Sequence, residues 1–171
     1  MADISAPVKL AYESLRYYLE TGKKLQVPEN LPTELTQQAG TFVSLKKSGQ
    51  LRGCIGTFQP TQSNIAAEII EMAVSAGTQD PRFRSVRLEE LADIEFSVDI
   101  LSSPEQIQSL DELDPQKYGV IVKRGYRSGL LLPALEGVDT VEEQVGIAME
   151  KAGIAPAEEV ELYRFYVTRY H

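Results

Sequence analysis

Between Ile94 and Ile100 the chain alternates without a break. Ile94, Phe96, Val98 and Ile100 are apolar, and Glu95, Ser97 and Asp99 between them are polar. Strict period-two patterning is the signature of a strand with one buried face. Such a strand needs hydrogen-bonding neighbours and a layer to cover its apolar side, so this segment commits the chain to a sheet with a dry face. Strands of this type are at home in antiparallel sheets. Two upstream runs supply neighbours. Thr41–Lys46 and Leu51–Phe58 are strand-like, and the Lys47-Ser48-Gly49-Gln50 connection between them reads as a hairpin.

Helical patterns separate the strand runs. Ser5, Ala6 and Pro7 look like a helix start, followed by Val8, Ala11, Leu15, Tyr18 and Leu19 at helical spacing, with Gly22 as a stop. Thr61 or Ser63 is placed to cap a second helix running to about Ala76, with Gly77 beyond its end. Thr140-Val141-Glu142-Glu143 is a capping box for a third, which stops at Gly153. Residues 102–117 read as irregular or briefly helical. Val120–Lys123 and Leu130–Leu132 form a second hairpin, and Leu162–Tyr170 a closing strand. Paired strands with interspersed helices indicate an α+β fold, with an antiparallel sheet and flanking helices. At 171 residues and 43% hydrophobic content, one domain is expected, with room for two sub-lobes.

The chemistry-bearing segment is Leu51-Arg52-Gly53-Cys54-Ile55-Gly56, which holds the only cysteine. In a regular strand Arg52 and Cys54 point to the same side. A guanidinium beside a thiol favours the thiolate, the form that attacks electrophiles. The bland reading is a small buried hydrophobe at Cys54, an internal ion pair at Arg52 and glycines for tight packing. A β-bulge accounts for the glycines equally well.

Arg82, Arg84 and Arg87 form one basic cluster, and Lys123, Arg124 and Arg127 a second, in a chain of net charge −8. The acidic balance speaks against general binding to nucleic acid or anionic membranes. The clusters are candidates for holding a small anion, or else pair with the many carboxylates. One His and one Cys leave no set with metal-ligand spacing, and no phosphate-loop or dinucleotide glycine pattern occurs. Which cofactor the chain uses, if any, does not follow from its sequence. No apolar run nears the ~20 residues of a membrane span, and the first residues lack secretory character. A cytoplasmic location is the expectation.

Several segments together resemble the AMMECR domain family, most closely its prokaryotic branch, the AmmeMemoRadiSam system A group. They are Gly40-Thr41-Phe42-Val43, Leu51–Gly56, Asp80–Phe83, Glu95–Val98, Tyr118–Val120, Arg127–Pro133, Lys151–Gly153 and Arg164-Phe165. The order and spacing cover nearly all of the chain. The resemblance implies a single α+β domain over residues 1–171, of two unequal lobes with a cleft between them and the hexapeptide near that cleft. It points to Arg52, Cys54, Asp80, Arg82 and Phe83 as site residues, while the second basic cluster offers Arg127 as a further candidate for substrate binding. It also implies a shared pathway with a Memo-like and a radical-SAM protein. Some relatives carry a second cysteine before Lys-Ala-Gly. Here residues 147–150 are Ile, Ala, Met and Glu, so a two-thiol mechanism does not carry over. Two functional readings follow: an enzyme acting on a small anionic substrate through Cys54, with Asp80 or Asp99 orienting a proton carrier, or a non-catalytic module.

Overall fold

Residues 4–171 are described by a computed structural model. The chain forms helix α1 (Ala6–Thr21), strands β1 (Thr41–Lys47) and β2 (Gln50–Gly56), helix α2 (Ile65–Thr78) and strand β3 (Ile94–Leu101). Then come β4 (Glu105–Ile107), β5 (Gly119–Arg124), β6 (Arg127–Leu131), helix α3 (Val141–Ala152), β7 (Glu161–Phe165) and β8 (Val167–Tyr170). The fold is α+β. Two four-stranded sheets run in the orders β2-β1-β3-β8 and β4-β7-β5-β6. They belong to two compact units, one reaching to Ile100 and including Thr168–His171, the other Leu101–Val167.

In the larger unit β1 pairs antiparallel with β2 and with β3. The two-residue turn between β1 and β2 places Ser48 and Gly49 at φ 52° and 76°, the left-handed geometry that matches strand twist. Val43, Leu45, Phe96 and Val98 face α1 and α2, against Leu15, Ile69 and Ala73. Burial of each larger aliphatic side chain is worth roughly 1.5–3 kcal/mol. In the smaller unit α3 packs on β5 and β6, joining Val120, Val122, Leu131 and Ala148 in a second core.

Five local expectations change. Asn64 caps α2, its Oδ1 accepting from Ala67 N at 2.8 Å, because Thr61 is bound to the buried Glu68 carboxylate instead. Gly77 lies inside α2, where a Cβ would overlap the Leu15 side chain of α1. The run Leu162–Tyr170 is two strands in different sheets. Tyr166 separates them, exchanging bonds with Ser102 at 2.7 and 2.9 Å. Residues 102–117 contain β4, which pairs with β7 through a segment lacking alternation. In β3 the alternation fails near its end, since Asp99 is buried and Ile100 half-buried. Among the described residues no helix is long and apolar enough to cross a membrane.

Candidate functional site around Cys54

Register assembles the site. Ser44 of β1 lies opposite Cys54 on one side and opposite Ser97 on the other. Its neighbours Val43 and Leu45 face the helices, so Cys54, Ser44, Ser97 and Asp99 share the opposite, polar face. Ser44 and Cys54 form a pair whose backbone groups do not bond each other, the arrangement that brings side chains closest. Ser44 Oγ stands 3.1 Å from Cys54 Sγ.

That pairing turns the backbone of Cys54 outward, along the free edge of β2. A bare strand edge invites pairing with another chain. Here the Asp80-Pro81-Arg82-Phe83 turn covers it. Asp and Pro are suited to the first two turn positions, and Phe83 N donates to Asp80 O at 3.1 Å. Asp80 Oδ2 accepts from Cys54 N at 3.0 Å, and Arg82 Nη2 donates to Cys54 O at 3.4 Å. Arg82 also grips Asp80, Nε to Oδ1 at 3.0 Å and Nη2 to Oδ2 at 2.8 Å. The Asp80 side chain is almost wholly buried, whereas 56% of the Arg82 side chain is open. The Arg82 guanidinium lies over the Phe83 ring, 5.4 Å from its centroid. Hydrogen bonds from Arg82 and from the Cys54 amide hold the Asp80 carboxyl well below the usual carboxylate range, against the effect of burial.

A second pair of the same kind stands on the same face. Arg169 of β8 binds Asp99, Nε to Oδ1 at 2.7 Å and Nη2 to Oδ2 at 2.9 Å. Asp99 is buried, and 44% of the Arg169 side chain is open. Bidentate pairing of this type fixes the guanidinium plane. Both arginines are raised above the ordinary guanidinium range, chiefly by their carboxylates and with a further contribution from Cys54. Arg82 thus holds the Cys54 backbone, and Arg169 is fixed by Asp99 on the same face as the Cys54 side chain.

Arg52 is placed differently. The β1–β2 register slips between Leu45 and Lys46, which pair with Gly53 and Leu51. Arg52 is thus the extra residue of a bulge, and simple alternation does not govern its side chain. Its guanidinium binds Glu90 (Nη2 to Oε2, 3.1 Å), Arg84 O at 2.7 Å and Ser85 O at 3.3 Å. Glu90 is held at about 2, against an ordinary 4.5, first by the Arg87 amide and then by Arg52 and Lys47. Gly53 faces α2, where a Cβ would collide with the Ala76 carbonyl. Arg127 lies in the smaller unit and binds Glu158 Oε1 at 2.8 Å and Gly153 O at 2.9 Å.

The structure thus joins Cys54, Asp80, Arg82 and Phe83, and adds Ser44 and Arg169, which the sequence reading missed. The hairpin turn alone would set Ser44 opposite Gly53, and it is the bulge at Arg52 that brings Ser44 opposite Cys54. Arg169 required knowing that β8 lies beside β3. Among the described residues no cluster of His, Cys, Asp and Glu could hold a metal ion.

Comparison with known proteins agrees with the resemblance. The AMMECR1 family profile matches residues 8–170, and the chain belongs to this family. A Thermotoga maritima protein is 54% identical, over 95% of either chain. A Clostridium acetobutylicum protein is also 54% identical over 95% of this chain, which spans only 35% of its length. The crystal structure of an uncharacterized Pyrococcus horikoshii protein superposes with a TM-score of 0.85. It is 33% identical, with 95% of this chain and 88% of that one covered.

Proposed function

We propose that the polar face around Cys54 is a thiol-dependent site for a small anionic substrate. In this reading Cys54 is the nucleophile, Arg82 and Arg169 hold the substrate's negative charge, and Asp80 and Asp99 position those arginines. One observation carries it: Cys54 shares a polar face with Asp99 and is held through its backbone by Asp80 and Arg82, so two guanidinium groups, each locked by a buried carboxylate and each about half open, stand around that face. Buried partners remove the orienting cost that a free arginine would pay on binding. Positive charge beside a sulfur favours attack on electrophiles, and the same charge attracts an anion. Ser44 Oγ, at 3.1 Å from Sγ, is the hydroxyl best placed to exchange a proton with it. A reducing, cytoplasmic setting suits a lone reactive thiol.

The test is protection. Cys54 is labelled with iodoacetamide, a neutral reagent, in chloride and in phosphate, acetate or succinate at matched ionic strength. An oxyanion occupying the site slows labelling and raises the melting temperature. Equal labelling and equal melting in all salts would remove the substrate-site reading.

A second reading has its own support. The same domain makes up about a third of the Clostridium acetobutylicum protein, as a binding module would. Here the site docks a ligand or peptide without turnover, alongside Memo-like and radical-SAM proteins. Stable co-elution of the purified chain with either partner, at an unchanged labelling rate, would favour this reading.

A further inference from the structure

The smaller unit holds a polar cluster that the Cys54 reading does not use. Tyr118 and Tyr166 bring their hydroxyls to 3.3 Å, with ring centroids 4.9 Å apart. Arg164 stacks on the Tyr118 ring at 4.5 Å, and the Lys117 ammonium stands 5.1 Å from the same ring. The assembly is built in from several sides. Tyr118 N donates to Asp114 O at 2.8 Å, and its carbonyl accepts from the buried Gln144 at 2.9 Å. Arg164 is anchored by Glu112 O at 2.8 Å and by the exposed Glu105 at 3.3 Å. The Tyr118 side is buried, while Tyr166 is 46% exposed.

The charges and donors do not close on themselves. Within the described residues of this unit Lys117 has no carboxylate at ion-pair distance, and Arg164 Nε is buried without an acceptor. Two hydroxyls bonded to each other use one proton between them, so the accepting phenol keeps an O–H to donate elsewhere. The Tyr118 phenol is lowered from its ordinary value by Tyr166 and Lys117, and Tyr166 is raised by Tyr118. Glu105 answers Arg164, so the charge left without negative oxygen is that of Lys117, which stands beside two phenols in a chain of net charge −8.

We propose that Lys117, Tyr118, Arg164 and Tyr166 form a second binding site, in the smaller unit, for an oxyanion group such as a phosphate or carboxylate. The Lys117 ammonium supplies charge, the free phenol hydrogen supplies a directed donor, and Arg164 fixes the Tyr118 ring from behind. Recognition is of the anionic group, whether free or carried on a larger molecule.

The readout must be local, because the Cys54 face is proposed to take anions as well. Tyrosine rings are isotopically labelled in the full chain and followed by NMR during titration with inorganic phosphate, with acetate, and with chloride at matched ionic strength. The Tyr118 and Tyr166 signals, assigned with Tyr166→Phe, are expected to move saturably with an oxyanion and not with chloride. Lys117→Gln should weaken that binding ~10-fold or more, with the remaining tyrosine signals unchanged as proof of folding. Arg82→Gln should leave it unaltered. A larger shift with phosphate than with acetate assigns a phosphoryl ligand, and the reverse a carboxylate. Absence of saturation, equal response to chloride, or indifference to Lys117→Gln would overturn the proposal.

Discussion

Two hairpins in this protein are built alike and end differently. β1–β2 is followed by α2, and β5–β6 by α3. In each, a glycine of the second strand packs against an alanine carbonyl of the helix, Gly53 on Ala76 and Gly129 on Ala148. In each, an arginine one or two residues before that glycine reaches the segment beyond the helix. Arg52 takes Glu90 and the carbonyls of Arg84 and Ser85, and Arg127 takes Glu158 and the carbonyl of Gly153. The difference lies on the faces turned from the helices. Across the first sheet the row is Cys54, Ser44 and Ser97. Across the second it is Leu130, Ile121 and Tyr163. Shared features are scaffold, and the unshared row, flanked by Asp80–Arg82 and Asp99–Arg169, is where we propose the substrate site. Arg52 belongs with Arg127 on the scaffold side.

The comparison breaks first at its glycines. Gly53→Ala and Gly129→Ala should each destabilise by about 1–3 kcal/mol, since a carbonyl on a helix backbone cannot step aside. Denaturant midpoints check this, and tolerance of either change would dissolve the likeness. Next is Asp80→Ala, which removes the acceptor of the Cys54 amide and of Arg82. A loss of about 2 kcal/mol is expected, with faster exchange of the Cys54 amide proton.

Smaller effects follow for the clamp. Arg52→Gln should cost about 1 kcal/mol. Its partner Glu90, folded near 2 against an ordinary 4.5, contributes stability that is complete above pH 4.5 and drains as pH falls towards 2. Glu90→Gln should flatten the acid limb of the stability curve in that window. Smallest of all is Cys54→Ser. Cys54 is only partly buried and a serine hydroxyl keeps Ser44 as its partner, so the change should stay under about 1 kcal/mol. A larger loss would mark Cys54 as a packing residue.

Much of this was legible from residues alone. Period-two patterning exposed β3, two strand-like runs joined by a short connection exposed β1 and β2, and the capping box at Thr140 and the glycine at 153 bounded α3. Asp80 and Arg82 were flagged together with Cys54 by the family resemblance. What escaped was set by register and by sheet order. A single-residue bulge at Arg52 redirects one side chain and has no local signal beyond the glycines. The segment Leu162–Tyr170 carries strand character throughout, so nothing in its pattern shows that Tyr166 divides it between sheets. Arg169 reaches Asp99 only because of that division. The burial of Asp99, a break in an otherwise clean alternation, is likewise decided by an arginine seventy residues away.

The central claim is that Arg82 and Arg169, and neither Arg52 nor Arg127, govern the reactivity of Cys54. Iodoacetamide labelling rates near neutral pH, compared for the wild-type chain and the four Arg→Gln variants, test it directly. The account predicts labelling slowed severalfold in R82Q and in R169Q, more in the double variant, and near the wild-type rate in R127Q and in folded R52Q. Equal rates in all variants, or slowing confined to R52Q, would contradict it.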